Sequence, residues 1–472
     1  MTAKIVRPIR SLLSLLILLV GLCGVAVAEE KPRVLVLTDI SNEPDDEESL
    51  VRFLVYANEF DVEGLVATTS TWLKKNPRED LIWRDLAAYA LVRTNLLKHA
   101  PGFPAAEDLL AVTKTGQTNY GMQFVGAGKS TAGSQLIIDA ADKSDARPLW
   151  VSVWGGANTL AQALTDVRVS RRAEELKKFV AKLRVYSISD QDDAGAWIRK
   201  EFPNLFYIVS PSNADGNEYW RATWTGISGD RHYKNGPRHK FGMVDNPWLA
   251  EHVIKNHGPL GALYPKLAYI MEGDTPAFLG LVNNGLGWAV SPAYGGWGGR
   301  YVLYRPSGEP RAIWSNNANS RDTVTADNGT TETSDPATIW RWREHFQNDF
   351  AARMDWCVAD EFTNANHNPI VVLNGDRTKN VLTVSATNSA TISLSAEGTS
   401  DSDGNSVRVT WWIYYEVGNS WGATLSAAEG LKTGVRLPQL KKPGKFHVIL
   451  QAEDDGSPHL FAYRRAIIEV TP

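Results

Sequence analysis

The chain has 472 residues, 43% hydrophobic and 22% charged, with a formal net charge of −4. This composition excludes wholesale disorder, collagen-like repeats and a disulfide-dense miniprotein, and the length suits two or three domains. A mildly acidic chain does not favour nucleic acid or an anionic membrane surface as a partner.

Residues 1–28 read as a secretory leader. Lys4, Arg7 and Arg10 form a basic start, an apolar run continues to Val27, and Ala26-Val27-Ala28 has the small-x-small pattern of a cleavage site. The expected product is secreted or periplasmic, with no stable membrane anchor, because the apolar run is short and interrupted. Losing three positive charges and no acids moves the net charge from −4 to −7. Cys357 is then the sole cysteine, which excludes an intrachain disulfide and a thiolate zinc cluster.

Residues 29–366 carry α/β patterning. Arg33–Leu37 is a continuous apolar run suited to a buried parallel strand. An acidic loop follows, then helical spacing over Ser49–Ala57, then a second strand over Val62–Thr68. Strands at Leu149–Val153, Leu183–Ile188 and Leu205–Val209 alternate with helical stretches at Asn158–Leu164 and Ala196–Glu201. This predicts a parallel sheet, with ligands at the carboxyl ends of its strands. Residues 315–336 are polar and of low complexity and read as a long surface loop, followed by a closing helix near Trp340, Trp342 and Phe346. Residues 367–472 switch to short alternating strands separated by turns, which predicts a small all-β sandwich.

The strongest chemical feature is Thr38-Asp39-Ile-Ser-Asn-Glu43-Pro-Asp45-Asp46-Glu47-Glu48, with six acids in ten residues directly after a strand. Carboxylates packed at one strand end repel one another unless protons or a cation neutralise them. A hard cation such as Ca²⁺ takes six to eight oxygen ligands, so such a loop suits it. Glu47 and Glu48 read more simply as a solvated first helical turn that complements the helix dipole.

This loop resembles the Asp-Thr-Asp-Pro-Gly-x-Asp-Asp fingerprint of calcium-dependent nucleoside hydrolases. The mature chain resembles a group of secreted bacterial and fungal proteins that join a nucleoside hydrolase-like domain to a β-sandwich tail, some of them described as cellulose-binding. With a two-residue insertion placed in the loop, the resemblance implies that Asp39 binds calcium and activates water, that Asp45 meets sugar hydroxyls, and that Asp46 is a metal ligand; Glu43 of the same loop is a further candidate substrate contact. The ungapped register puts Ser41 at the calcium-binding position and would abolish the site.

Trp154-Gly-Gly-Ala-Asn158 resembles the family stretch in which a backbone carbonyl, here that of Ala157, ligates calcium; Asn158 reads as a substrate contact, a helix cap, or both. Glu272-Gly-Asp274-Thr-Pro resembles the family's His-Asp-Pro segment, so Asp274 matches the last calcium ligand. Gly273 stands where many members carry the His that protonates the leaving base, and Glu272 is the substitute acid within reach. Asp192 and Asp193 weakly match a sugar-binding segment, and the Gly-rich loop around Trp297 reads as a mobile wall with Trp297 as a stacking platform. His232, His239, His252 and His257 have no metal-binding spacing.

The tail resembles the PKD-type sandwich that accompanies secreted carbohydrate-active enzymes. Trp411 and Trp412 must face opposite sides of their strand: one belongs to the core, and the other, exposed or packed on the first domain, is the tail's candidate for stacking sugar. The expected function is metal-dependent hydrolysis of a furanosidic or other glycosidic bond in a glycan. The alternatives are a non-catalytic carbohydrate-binding protein on a degenerate hydrolase fold and a periplasmic nucleoside hydrolase.

Overall fold

Alternating burial sets the architecture. In the first strand, β1 (Arg33–Thr38), Val34 and Val36 face one apolar cluster while Leu35 and Leu37 face another, so both sides of the sheet are covered. The computed structural model describes residues 30–41, 43–213, 216–217, 227 and 239–472. The leader read at 1–28 and His232 lie outside them.

Five further strands run parallel in the main sheet: β2 (Asp61–Ala67), β3 (Thr113–Thr115), β4 (Leu149–Val153), β5 (Leu183–Ser187) and β6 (Phe206–Ile208). Two edge strands, β7 (Val302–Tyr304) and β8 (Ile313–Ser315), complete an eight-stranded order of β3-β2-β1-β4-β5-β6-β8-β7. β8 is parallel to β6 and antiparallel to β7, so the sheet is mixed at that edge. The chain winds outward from β1 to β3, then restarts at β4 on the other side of β1. The boundary between β1 and β4 is therefore a topological switch point, where a crevice opens beyond the strand ends.

Helices α1 (Asp45–Val55), α2 (Glu79–His99) and α3 (Ala106–Ala111) pack on one face of the sheet. Helices α4 (Ala132–Asp142), α5 (Asn158–Ser170), α6 (Ala173–Lys182) and α7 (Ala194–Glu201) cover the other. α8 (Arg343–Trp356), the closing helix, joins the first face through Phe346 and Phe350. The polar stretch 315–336 departs from expectation. It contains a hairpin, β9 (Asp322–Thr325) and β10 (Thr331–Ser334), in which Val324 packs on Trp340. Threonine alternation over 323–333 supplies β-propensity that polarity alone concealed.

The tail contains β11 (Leu382–Thr387), β12 (Thr391–Ser395), β13 (Val407–Ile413), β14 (Thr424–Leu425), β15 (Lys432–Arg436), β16 (Gly444–Asp454) and β17 (Phe461–Thr471). A four-stranded sheet, β11-β17-β16-β13, and a three-stranded one, β12-β15-β14, enclose a core that includes Trp411. The outer side of the larger sheet is not left to solvent. Tyr414, Ile449, Phe461 and Tyr463 join the first core beside Trp297 and Trp342, and Arg465 donates to the Leu286 and Gly295 carbonyls at 2.6 and 3.0 Å. Among the described residues, no helix is long and apolar enough to cross a membrane.

Candidate functional site

The acidic loop closes on itself through Thr38, the last residue of β1. The Thr38 hydroxyl accepts the Ile40 amide at 3.1 Å and donates to Asp46, which returns the start of α1 to the strand end. Inside the loop Ser41 has φ of +120°, a conformation that costs energy for any residue with a Cβ and that recurs at functional sites. Four carboxylates collect here: Asp39 after β1, Asp45 and Asp46 in the first turn of α1, and Asp274 from the segment preceding a short helical turn at Pro276–Leu279. All four are buried. Ligand oxygens of Asp45, Asp46 and Asp274 lie within 4.8 Å of one another.

Their electrostatics are unfavourable as they stand. Asp39 Oδ1, Asp45 Oδ1 and Asp274 Oδ2 have no hydrogen-bond partner, and no Lys, Arg or His pairs with any of the four among the described residues. Burial pushes the Asp39 carboxyl up to about 7 against the Ser70 hydrogen bond, with repulsion from Glu43 and Asp192 adding to the rise. Burial, then repulsion from Glu43 and Asp39, takes Asp45 to about 7 as well. Asp46 and Asp274 are held well above the carboxylate range, first by burial and then by the neighbouring acids. Glu43 sits half-buried on the loop. Orphaned buried oxygens with no cationic neighbour are a donor set that fits a hard divalent cation. Asp45, which the resemblance gave to sugar hydroxyls, belongs to the converging trio. Asp39 stands beside it, with Oδ2 taken by the Ser70 hydroxyl and Oδ1 unpartnered.

The β4–α5 loop forms the adjoining wall. A Cβ added to Gly155 would come within 2.9 Å of the Asp39 Cβ, and one on Gly156 within 2.5 Å of Asp192 Oδ2 and of the Thr69 carbonyl. The two glycines therefore let the loop approach carboxylates of the protein itself. Asp192, expected to bind substrate, caps helices instead. Its Oδ2 accepts the Asn158 amide at 2.9 Å and its Oδ1 the Ala194 amide at 2.9 Å. Burial nevertheless raises it to about 7, against these backbone hydrogen bonds. Asp193 is exposed and accepts the Met122 amide at 2.8 Å.

Asn158 is fully buried and is not the cap of α5; Ala157 holds that position. The Asn158 amide donates to Thr69 Oγ1 at 3.3 Å and to the Asn119 carbonyl at 2.9 Å, while its oxygen accepts from Thr68 at 3.4 Å. These bonds occupy it as a brace between loops rather than as a substrate contact. The Ala157 carbonyl, expected to ligate metal, accepts the Ala161 amide at 2.9 Å in the first turn of α5.

Three expectations are corrected outright. Glu272 is fully buried against Arg52 at 2.5 Å and accepts from Tyr264 and Thr275, each at 2.8 Å, so no oxygen is free to serve a leaving group. Glu48 is not a solvated first-turn acid. It is fully buried and accepts the Glu272 amide at 2.8 Å, whereas Glu47 pairs with Arg84 at 2.7 Å. Trp297 is a core residue, 2% exposed, packed edge-on against Phe346 and Tyr463.

In the tail, Trp411 is core and Trp412 packs on Trp342 of the first domain with ring centroids 5.8 Å apart. Alternation along β13 is thus as expected, and the partner of Trp412 is protein rather than sugar. The exposed tail tryptophan is Trp421, 68% accessible and stacked on Tyr415 at 5.1 Å. Sequence reasoning also passed over Ser70. The available signal was the polar run Thr68-Thr69-Ser70 at the carboxyl end of β2, beside β1. The histidines stay structural: His257 meets Asp355 at 3.1 Å and His252 packs on Trp248.

Residues 33–301 match the family model described as the nucleoside hydrolase-like domain of cellulose-binding Sde182, and residues 391–470 match the C-terminal domain of cellulose-binding protein Sde0182. Among solved structures, a nucleoside hydrolase-related hypothetical protein from Saccharophagus degradans, described as associated with carbohydrate metabolism, is 37% identical. The match covers 94% of this chain and all of that one, with a TM-score of 0.81. The effector protein XOO4466 is 10% identical over 70% of this chain and 95% of its own, with a TM-score of 0.33, too low to inform this chain's chemistry. No curated protein matches.

Proposed function

The chain belongs to the family of cellulose-binding Sde182 with its nucleoside hydrolase-like domain, and from that premise we propose that it is a secreted, Ca²⁺-dependent hydrolase of a glycosidic bond, furanosidic by family analogy, in a glycan. The observation that carries this reading is the convergence of Asp45, Asp46 and Asp274 beside Asp39 at the sheet's switch point, with buried oxygens left unpartnered.

Asp45, Asp46 and Asp274 would hold the ion. When bound, Ca²⁺ supplies positive charge that neutralises the cluster and acidifies water. Asp39 would accept the proton of the attacking water through Oδ1, which has no hydrogen-bond partner while Ser70 holds Oδ2. Water then adds to the anomeric carbon, giving its proton to Asp39, as the glycosidic bond breaks through an oxocarbenium-like state with no covalent intermediate and the leaving oxygen takes a proton from solvent water. Gly273 has no side chain and Glu272 is locked by Arg52, so neither protonates a leaving group. A purine, a pyrimidine and a sugar alcohol all leave poorly without an acid, so the proton on the leaving atom has to come from solvent.

The same lack of an acid supports a second reading, a non-catalytic carbohydrate-binding protein, to which the exposed Trp421 stacked on Tyr415 would contribute. One experiment separates the two. The purified protein is assayed on aryl furanosides with and without chelator. Hydrolysis removed both by chelator and by Asp39→Asn supports the first reading. No hydrolysis, with polysaccharide retention that survives Asp39→Asn and Asp274→Asn, replaces it with the second.

A further inference from the structure

We propose that Trp72 is the wall of the acidic site against which a sugar ring stacks, and that Ser70 is the positioning residue that fixes this wall to Asp39. The inference rests on the carbohydrate reading above. The Ser70 hydroxyl accepts two backbone amides, from Trp72 at 2.9 Å and from Leu73 at 3.0 Å, and donates its single proton to Asp39. A hydroxyl has one proton and two lone pairs, so its capacity is fully used. The Trp72 amide is thus two hydrogen bonds from the carboxylate.

The turn is braced on every side. The Ser70 amide donates to the Leu73 carbonyl at 3.0 Å, the Thr71 amide to the Gln191 carbonyl at 2.7 Å, and the Gly156 amide to the Thr69 carbonyl at 2.9 Å. The loops after β2, β4 and β5 therefore hold one another around the switch point. On this rigid turn the Trp72 side chain stays 53% exposed, while Trp154, just past the end of the neighbouring β4, is buried. A large apolar ring held half in water, on a turn whose Ser70 hydroxyl binds the buried Asp39 carboxylate, offers a flat face to a ligand that is apolar on one side and hydroxylated at its edge. A furanose or pyranose ring has that chemistry: its C–H face meets the indole, and its hydroxyls meet the carboxylate site.

The test uses the intact protein with Ca²⁺ and calorimetric titration of cellohexaose and arabinohexaose. Trp72→Ala is expected to weaken binding of at least one probe about tenfold, the scale of one aromatic contact, with an unchanged melting temperature. Trp72→Phe should restore binding to within about threefold, which a purely structural role would not require. Ser70→Ala should weaken the same probe. If Asp274→Asn abolishes binding while Trp72→Ala leaves it intact, the site stands and Trp72 is not its wall. If Trp421→Ala alone abolishes binding, the sugar lies on the tail and the inference falls. If the wild type binds neither probe, the carbohydrate reading falls and takes this inference with it.

Discussion

Arg52 closes on Glu272 at 2.5 Å, with neither side chain exposed, and so spends on structure the acid that stands nearest in sequence to the leaving-group position. Arg52 also donates to the Phe346 carbonyl at 3.1 Å and lies 3.9 Å from the Phe350 ring centre, which ties α1 to α8. Arg52→Met would leave Glu272 and Glu48 buried without their cation. Urea unfolding should show a loss of about 3–5 kcal/mol, the scale for breaking a buried pair. A loss below about 1 kcal/mol would mean that the pair is dispensable and Glu272 available for chemistry.

The acidic site makes stability depend on pH and metal. In the folded chain Asp39 and Asp45 titrate near 7, against an ordinary value of 3.8. Between these values the folded state binds more protons than the unfolded one, so its stability falls as pH rises, and the loss is complete above about 7. Chelator-treated protein should therefore melt at a lower temperature at pH 8 than at pH 5. Ca²⁺ should narrow that gap, by about 2.7 kcal/mol at one hundred times its dissociation constant. Asp274→Asn should raise the melting temperature of the metal-free protein at pH 8 and remove the Ca²⁺ response. Asp45→Asn should weaken Ca²⁺ more than Asp39→Asn does, because Asp45 belongs to the converging trio. A metal-free protein with equal melting temperatures at the two pH values would contradict this account.

Gly156→Ala and Gly155→Ala should differ in kind. At Gly156 the new methyl meets a backbone carbonyl, Thr69 O, that cannot step aside, so a loss of about 1–3 kcal/mol is expected in denaturant melts. At Gly155 the three nearest atoms all belong to the Asp39 side chain, so Asp39 should move. Activity or Ca²⁺ affinity should then fall further than stability. Equal stability losses with an unperturbed site would show that Asp39 tolerates the displacement.

The junction with the tail carries an opposite pH dependence. His345 stacks on Phe461 with ring centroids 3.8 Å apart and shares a hydrogen bond with the Tyr463 hydroxyl. Burial pushes it down to about 3, so it folds neutral. Its contribution is fully present above the ordinary value of 6.5 and is lost as pH falls toward 3. His345→Gln should flatten the acid limb of a plot of stability against pH while leaving the alkaline limb unchanged. An unaltered acid limb would assign that loss elsewhere, His447 being the next buried histidine with a depressed value.

Local pattern was legible in the residues themselves. The apolar run at Arg33–Leu37, the acids after it and the alternation of Trp411 and Trp412 each depend on neighbours in the chain, and strand, loop and facing follow from spacing alone. Asp39 lies at the switch point, and Asp274 arrives beside Asp45 and Asp46 from a distant segment. What each polar or aromatic group touches was not legible. Glu272 meets Arg52 from 220 positions earlier in the chain, Trp297 is covered by Phe346 and Tyr463, and Trp412 finds Trp342 rather than solvent. Burial and pairing belong to contacts between distant segments, and those exist only once the sheet, its helices and the tail have packed together. The 17 tryptophans of the chain show the same division. The sequence by itself required large apolar surfaces, and the tertiary structure decided that most of the described tryptophans pack in or against the cores, leaving Trp72, Trp83 and Trp421 exposed.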